Sequence, residues 1–302
     1  MNDLVNMDRR SLIKTASLAT VASVGALAMT PSMAAAAIDI SQKIRIAGDL
    51  RTFTQRMALA SAFVLLDVER DHYLNVLRDE FNEFSADIEV LRQGRSEYGM
   101  APEENTLVLE AIDTVELGWS ILGPAIEHVI DTGMVDDTDF TKIEKTNVQV
   151  MSLTDSLIHR IMNEYKADIP TELAYQIDVV GVQRMLSQKM VKEGILLGLE
   201  FEADAHHEML LGSVQVFQFG MDKLRGEMLH NEVFLPEPGS DIAEMLDRVD
   251  QIWALLQPSL EALDESHSID SVDIVELAHE ADDMLAIFDE IYAVLIRRAE
   301  AV

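Results

Sequence analysis

Two stretches of sequence that repeat one another decide the fold. Residues 179–190 read Val-Val-Gly-Val-Gln-Arg-Met-Leu-Ser-Gln-Lys-Met, and residues 46–57 read Ile-Ala-Gly-Asp-Leu-Arg-Thr-Phe-Thr-Gln-Arg-Met. They align without a gap at an offset of 133 positions. With one inserted residue the match continues downstream, where the only two tryptophans of the chain, Trp119 and Trp253, fall in register. A repeat of this length indicates a duplicated structural unit.

Each copy is predicted to form four helices. Apolar residues recur at helical spacing, and the chain has only 14 Gly and 7 Pro residues among 302, which favours long helices over strands and turns. The predicted helices span about residues 40–67, 69–93, 103–130, 140–166, 171–200, 203–229, 240–264 and 269–299. The predicted fold class is therefore all-α, with two four-helix bundles in tandem at residues 38–168 and 169–302.

Composition excludes several classes of function. The chain has 23 basic and 54 acidic residues, a formal net charge of -31 and no cysteine. The missing cysteines exclude disulfides, thiolate metal sites and cysteine nucleophiles. The negative charge opposes direct binding to nucleic acid, because both surfaces repel each other. The 48% of hydrophobic residues is enough for a substantial core.

Residues 1–37 are predicted to be an export signal. Arg9 and Arg10, followed by Ser-Leu-Ile-Lys, resemble the twin-arginine signature, and an alanine-rich apolar run and a small-residue segment follow. The apolar run is too short for a normal membrane span, although an uncleaved N-terminal anchor is the alternative. We therefore expect a soluble periplasmic protein that is exported by the twin-arginine route.

The repeated helix carries a mixed polar stripe opposite its core stripe. At 100° per residue, one glycine, one arginine and one glutamine of each copy share a face. These residues are Gly48, Arg51, Gln55, Gly181, Arg184 and Gln188. We expect the stripe to join the two copies, with glycine permitting close approach and the arginines brought together. Two guanidinium groups in such a seam favour a planar oxyanion between them, unless each pairs with a neighbouring carboxylate.

The segment 180–190 strongly resembles the opening helix of the type IV pili methyl-accepting chemotaxis transducer N-terminal domain, the PilJ domain. That family is related to the sensor domain of nitrate/nitrite-responsive histidine kinases. The resemblance implies an extracytoplasmic four-helix bundle that dimerises through this helix and binds nitrate between paired motif arginines. In this chain that role falls on Arg51 and Arg184, with Gly48 and Gly181 alongside.

The resemblance also implies a role for the whole chain. It implies a sensor or ligand-binding protein for nitrate or nitrite that acts with a membrane-bound signalling or transport partner. The two copies would imitate the family's dimer within one chain, or pair across a homodimer. The first copy departs from the family pattern at Asp49, which adds a negative charge near the proposed site. The alternative is a ligand-free helical interaction module.

Three Glu-x-x-His pairs raise the separate possibility of a di-iron bundle. They are Glu69–His72, Glu227–His230 and Glu276–His279. The first two pairs lie at predicted helix ends in different copies, and neither is reproduced at the matching position of the other copy. We therefore expect solvated or capping side chains, and neither a metal nor another cofactor. Phosphate-binding loops, nucleophile elbows and zinc motifs are absent from the sequence, so we expect no enzymatic activity.

Overall fold

The computed structural model describes residues 31–227, 229–230, 233–235 and 238–300. Residues 1–30, with most of the predicted export signal, lie outside the described residues. Eight helices form the described part: α1 Pro31–Leu65, α2 Arg70–Gln93, α3 Thr106–Thr132, α4 Asp137–Glu164, α5 Thr171–Gly198, α6 Ala203–Leu224, α7 Ser240–Ser266 and α8 Ile274–Glu300. Two short helical turns, Ser96–Tyr98 and Ile269–Ser271, and one hairpin of strands β1 Leu229–His230 and β2 Val233–Phe234 complete it.

The all-α prediction is confirmed, and the differences lie at helix ends. α3, α4 and α8 begin where a side chain caps the first free backbone N–H groups: Asn105, Asp136 and Asp273 accept them. α6 ends at Leu224, about five residues earlier than predicted, and the hairpin follows it. Residues 31–37, assigned to the export signal from sequence, form the first turns of α1.

α1 and α5 are the central helices. α1 packs against α2 and α4 of its own copy, α5 packs against α6, α7 and α8, and α1 and α5 pack against each other. Both helices are buried on almost every side, including the polar stripe. The prediction that these helices bury two faces is therefore confirmed. No helix in the described part of the chain is both long and apolar enough to cross a membrane.

A buried polar network joins the two copies through α4. The Nζ atom of Lys192 in α5 donates to Asn147 Oδ1 at 3.2 Å and lies 3.5 Å from Glu144 Oε2, both in α4. It also lies 3.1 Å from Glu193 Oε1 in its own helix. Gln55 of α1 donates to the same Asn147 oxygen at 3.0 Å. Because an unpaired buried ammonium is costly, this network favours one register of α5 against the first copy.

Gly48 of α1 and Gly181 of α5 both make room for Tyr292 of α8. A Cβ atom at Gly48 would lie 2.8 Å from the Tyr292 hydroxyl oxygen, and one at Gly181 would lie 2.6 Å from it. We expected these glycines to admit the facing helix. Both admit a side chain of α8, and Gly181 also admits Arg51 of the facing helix α1, whose Nη2 would lie 3.0 Å from its Cβ atom. The Tyr292 hydroxyl is buried and has no hydrogen-bond partner among the described residues.

Gly181→Ala should therefore lower the free energy of unfolding by about 1–3 kcal/mol through overpacking, although alanine is the better helix former by about 1 kcal/mol. Urea denaturation measures the change. Adding Tyr292→Phe to Gly181→Ala should restore part of the loss, because it removes the nearest atom that the new methyl group meets but leaves Arg51 Nη2 at 3.0 Å from it.

The matched control is Gly212→Ala in α6, where a Cβ atom would meet nothing within 4 Å. This change should leave stability unaltered or raise it by up to about 1 kcal/mol. Equal stability of the Gly181→Ala and Gly212→Ala variants would contradict the packing described for Tyr292.

Candidate functional site

Arg184 is held by one carboxylate from each copy. Its Nε donates to Asp289 Oδ1 of α8 at 2.5 Å, and its Nη1 forms a short ion pair with Asp49 of α1. The guanidinium also lies 5.0 Å from the centre of the Tyr292 ring. Arg184 is 7% exposed, so its charge is compensated by these neighbours rather than by solvent.

Arg51 is held in a related way. Its Nη1 donates to Asp155 Oδ1 of α4 at 2.8 Å, and its Nη2 donates to Asp178 Oδ1 of α5 at 3.3 Å. Arg51 is 2% exposed. Of the two arrangements considered from the sequence, the structure thus has the one in which each motif arginine pairs with carboxylates. Asp49, at which the first copy departs from the family pattern, pairs with Arg184 of the second copy.

Of the two carboxylates that pair with each motif arginine, one occupies a matched position in the two copies. Asp155 and Asp289 occupy matched positions, 134 residues apart, in the fourth helix of each copy. Their side chains are 45% and 51% exposed, whereas those of Asp178 and Asp49 are 9% and 8% exposed. Each arginine therefore has an inner carboxylate from the other copy and an outer carboxylate, open to solvent, from its own copy.

Gln55 and Gln188 join each motif helix to the fourth helix of its own copy. Gln55 Nε2 donates to Asn147 Oδ1, and Gln188 Nε2 donates to the backbone oxygen of Ala281, each at 3.0 Å. Positions 147 and 281 are matched at the same offset of 134. Both amide nitrogens are thus engaged in packing, while the Gln55 Oε1 atom is buried without a partner in the described part.

Tyr292 is a candidate residue that the sequence analysis missed. Burial raises the pKa of its phenol, opposed by Arg184, so the phenol keeps its proton at neutral pH. The charged groups around it are Arg184, Asp49, Arg51 and Asp178. Comparison of the two copies could not identify Tyr292, because the matched residue of the first copy is Ile158. The sequence feature that could have identified it is the presence of a tyrosine on the apolar face of the last helix.

A cavity of about 540 Å³ opens beside Arg184. It is bounded by α1, α2, α8 and the turn that follows α2, and Asp49, Asp289 and Tyr292 also line it. Arg51 does not line this cavity. A small molecule could thus reach Arg184 from the cavity, whereas Arg51 does not border it.

Two of the three Glu-x-x-His pairs meet in space. Glu69 Oε2 lies 3.1 Å from His279 Nε2, and both side chains are exposed. The described residues nevertheless contain no group of three or more His, Asp or Glu side chains that could hold a metal ion. The side chain of His230 lies outside the described residues.

Comparison with known protein families gives a match in the second copy of the repeat. Residues 171–276 match the family described as "Type IV pili methyl-accepting chemotaxis transducer N-term", PilJ. The matched segment runs from α5 to the start of α8 and includes Gly181, Arg184 and Gln188. No curated protein and no solved structure gives a significant match. The resemblance drawn from residues 180–190 is confirmed, and residues 171–276 are similar to the N-terminal domain of these chemotaxis transducers.

Proposed function

We propose that the chain is an exported sensory protein that binds a small planar oxyanion, nitrate or nitrite first, at its motif arginines, Arg51 and Arg184. It would report to a membrane-bound signalling or transport partner. The observation that carries the proposal is that both arginines are buried around one unpartnered hydroxyl, that of Tyr292. Export by the twin-arginine route rests on Arg9 and Arg10.

The outer carboxylates suggest how such an anion would bind. A carboxylate and a nitrate ion are both planar oxyanions that accept hydrogen bonds from a guanidinium fork. The half-exposed Asp289 can turn away from Arg184 and remain at the edge of the cavity, whereas the buried Asp49 cannot. An incoming anion would therefore replace Asp289, and the protonated Tyr292 phenol beside the guanidinium is a further donor for it.

The second candidate function is a ligand-free interaction module. The observation that favours it is that each motif arginine already has two carboxylates within 3.3 Å. In that case the seam holds the copies together, and its residues contact no ligand. The two candidates differ in what happens when an outer carboxylate is neutralised.

Calorimetric titration of the mature protein with nitrate, nitrite and chloride tests the proposal. We expect saturable binding of nitrate or nitrite, one per chain, and no binding of chloride. Asp289→Asn should tighten the binding about tenfold, equivalent to about 1.4 kcal/mol, because it removes the competing charge from Arg184. Arg184→Gln should abolish it.

Two further variants control this titration. Arg248→Gln removes an exposed arginine that pairs with Glu290 at 2.8 Å, and should leave anion binding unchanged. Tyr292→Phe should keep the wild-type stability, because the hydroxyl has no partner to lose, yet weaken anion binding several-fold. If neither the folded wild-type protein nor Asp289→Asn shows a heat of binding with any of the three anions, the proposal is contradicted and the interaction module is favoured.

Anion affinity should also rise as the pH falls. Burial raises the pKa of Asp289, and Arg184 opposes that rise. An anion that takes over Arg184 removes the opposition, so Asp289 holds its proton more tightly in the complex than in the free protein. Binding then takes up protons, and the dissociation constant for nitrate should be lower at pH 5.5 than at pH 7.5.

The same titrations on Asp289→Asn provide the comparison. The variant lacks the titrating carboxyl group, so its affinity should depend much less on pH than that of the wild type. An affinity that weakens on acidification, in the wild type but not in the variant, would show that the sign of this linkage is wrong.

A further inference from the structure

The cavity beside Arg184 carries charged groups that the oxyanion proposal does not use. Its volume of about 540 Å³ lies in the range of small-molecule sites, and far exceeds what nitrate fills. We propose that this cavity binds a small zwitterion of amino-acid size, with its ammonium group at Glu83 and Asp87 of α2 and its carboxylate at Arg95. This position lies in the same cavity as the oxyanion position at Arg184, but it uses different side chains.

The two carboxylates of α2 are available for a cation. Asp49 and Asp289, in the same cavity, are already paired with Arg184, whereas neither Glu83 nor Asp87 has a hydrogen bond or ion pair within the described residues. Burial raises the pKa of Asp87 to about 7, and Asp49 adds to the rise. A partly buried carboxyl group without a partner is costly, and an ammonium group would remove that cost.

Arg95 is correspondingly available for an anion. No carboxylate oxygen lies within 4 Å of its guanidinium in the described part of the chain. Arg95 Nη1 donates to the Tyr98 hydroxyl at 3.2 Å, and the guanidinium lies 5.0 Å from the centre of that ring. Paired backbone hydrogen bonds between Arg95 and Met100, both 3.1 Å, fix the turn that presents it.

This set of free charges selects a zwitterion. A simple cation would leave Arg95 with the Tyr98 hydroxyl but no anionic partner, and a simple anion would leave Asp87 without a cation in hydrogen-bond contact. The remaining wall includes the apolar side chains of Phe53, Ala293 and Ile296. The ligand class is thus an α-amino acid, or a molecule with the same charged groups, that carries an apolar side chain.

The second copy lacks the site, which makes it specific to the first copy. The positions matched to Glu83 and Asp87, at the offset of 133, are Val216 and Gly220. The space above Gly220 is filled by Gln183, whose Nε2 lies 1.5 Å from where a Cβ atom would be. The second copy thus has neither the carboxylates nor the room beside them.

The test is a thermal-shift screen of the mature protein against the twenty standard L-amino acids, followed by calorimetry. We expect at least one apolar amino acid, with L-phenylalanine the first probe, to bind in a saturable manner. Phenethylamine and 3-phenylpropionate, which each lack one of its charges, should bind at least about tenfold more weakly. Asp87→Asn and Arg95→Gln should each weaken amino-acid binding by a similar factor.

Matched controls come from the same helix. Asp79→Asn and Arg78→Gln remove exposed charges of α2 that do not line the cavity, and both should bind as the wild type does. Binding should also release protons near neutral pH in the wild type and not in Asp87→Asn, because an ammonium group lowers the pKa of Asp87. The charged groups that face Asp87 are Asp49, Arg45, Glu83 and Arg95.

Failure of this inference is distinct from failure of the oxyanion proposal. The inference is overturned if no amino acid binds, or if binding survives both Asp87→Asn and Arg95→Gln unchanged. Nitrate titration of the same two variants reports on Arg184 independently. Loss of amino-acid binding with nitrate binding retained would support two sites, and loss of both ligands in Asp87→Asn would overturn the separation proposed between them.

Discussion

The arrangement of the two copies depends on ion pairs buried between their motif helices. Arg184 of α5 pairs with Asp49 of α1, and Arg51 of α1 pairs with Asp178 of α5. All four side chains are less than 10% exposed, so a shift of either helix would leave buried charges without a partner. Such pairs contribute little net stability compared with an apolar contact, but they raise the free energy of every other register of α1 against α5. The buried Lys192 network adds a second constraint of the same kind.

The same ion pairs define what the seam can bind. The inner carboxylates belong to the other copy and lie out of solvent, whereas the outer ones, Asp155 and Asp289, belong to the fourth helices and are half exposed. In the proposed function, an oxyanion competes with an outer carboxylate of the protein itself. Replacement of Asp289 would exchange a contact between α5 and α8 for a contact with ligand, and would thereby couple binding to the packing of the last helix.

The sequence predicted much of the fold because helical periodicity is a local property and the duplication is visible in the sequence itself. Alignment of the two copies located both motif helices, and the residue types on the two faces of these helices predicted their burial on almost every side. Helix starts were less accurate, since side chains such as Asn105 and Asp273 set them by capping.

The surroundings of the motif residues were predicted only in part. The burial of Gly48, Gly181, Arg51 and Arg184 was predicted, but the partners of the two arginines were not. The inner carboxylates occupy unmatched positions among 54 acidic residues, so the repeat could not select them. Tyr292 corresponds to an isoleucine in the first copy, and the cavity brings together α1, α2, α8 and a turn. These features arise from tertiary packing, which periodicity does not report.

The most direct measurement is a double-mutant cycle on the buried cross-copy pair, with Asp49→Asn, Arg184→Gln and their combination, monitored by urea denaturation. The account predicts a coupling free energy of about 2 kcal/mol or more for this desolvated pair. The exposed pair Arg248–Glu290, treated in the same way, should give less than about 1 kcal/mol. A coupling for Asp49 and Arg184 no larger than that of the exposed pair would contradict the claim that this contact fixes the two copies together.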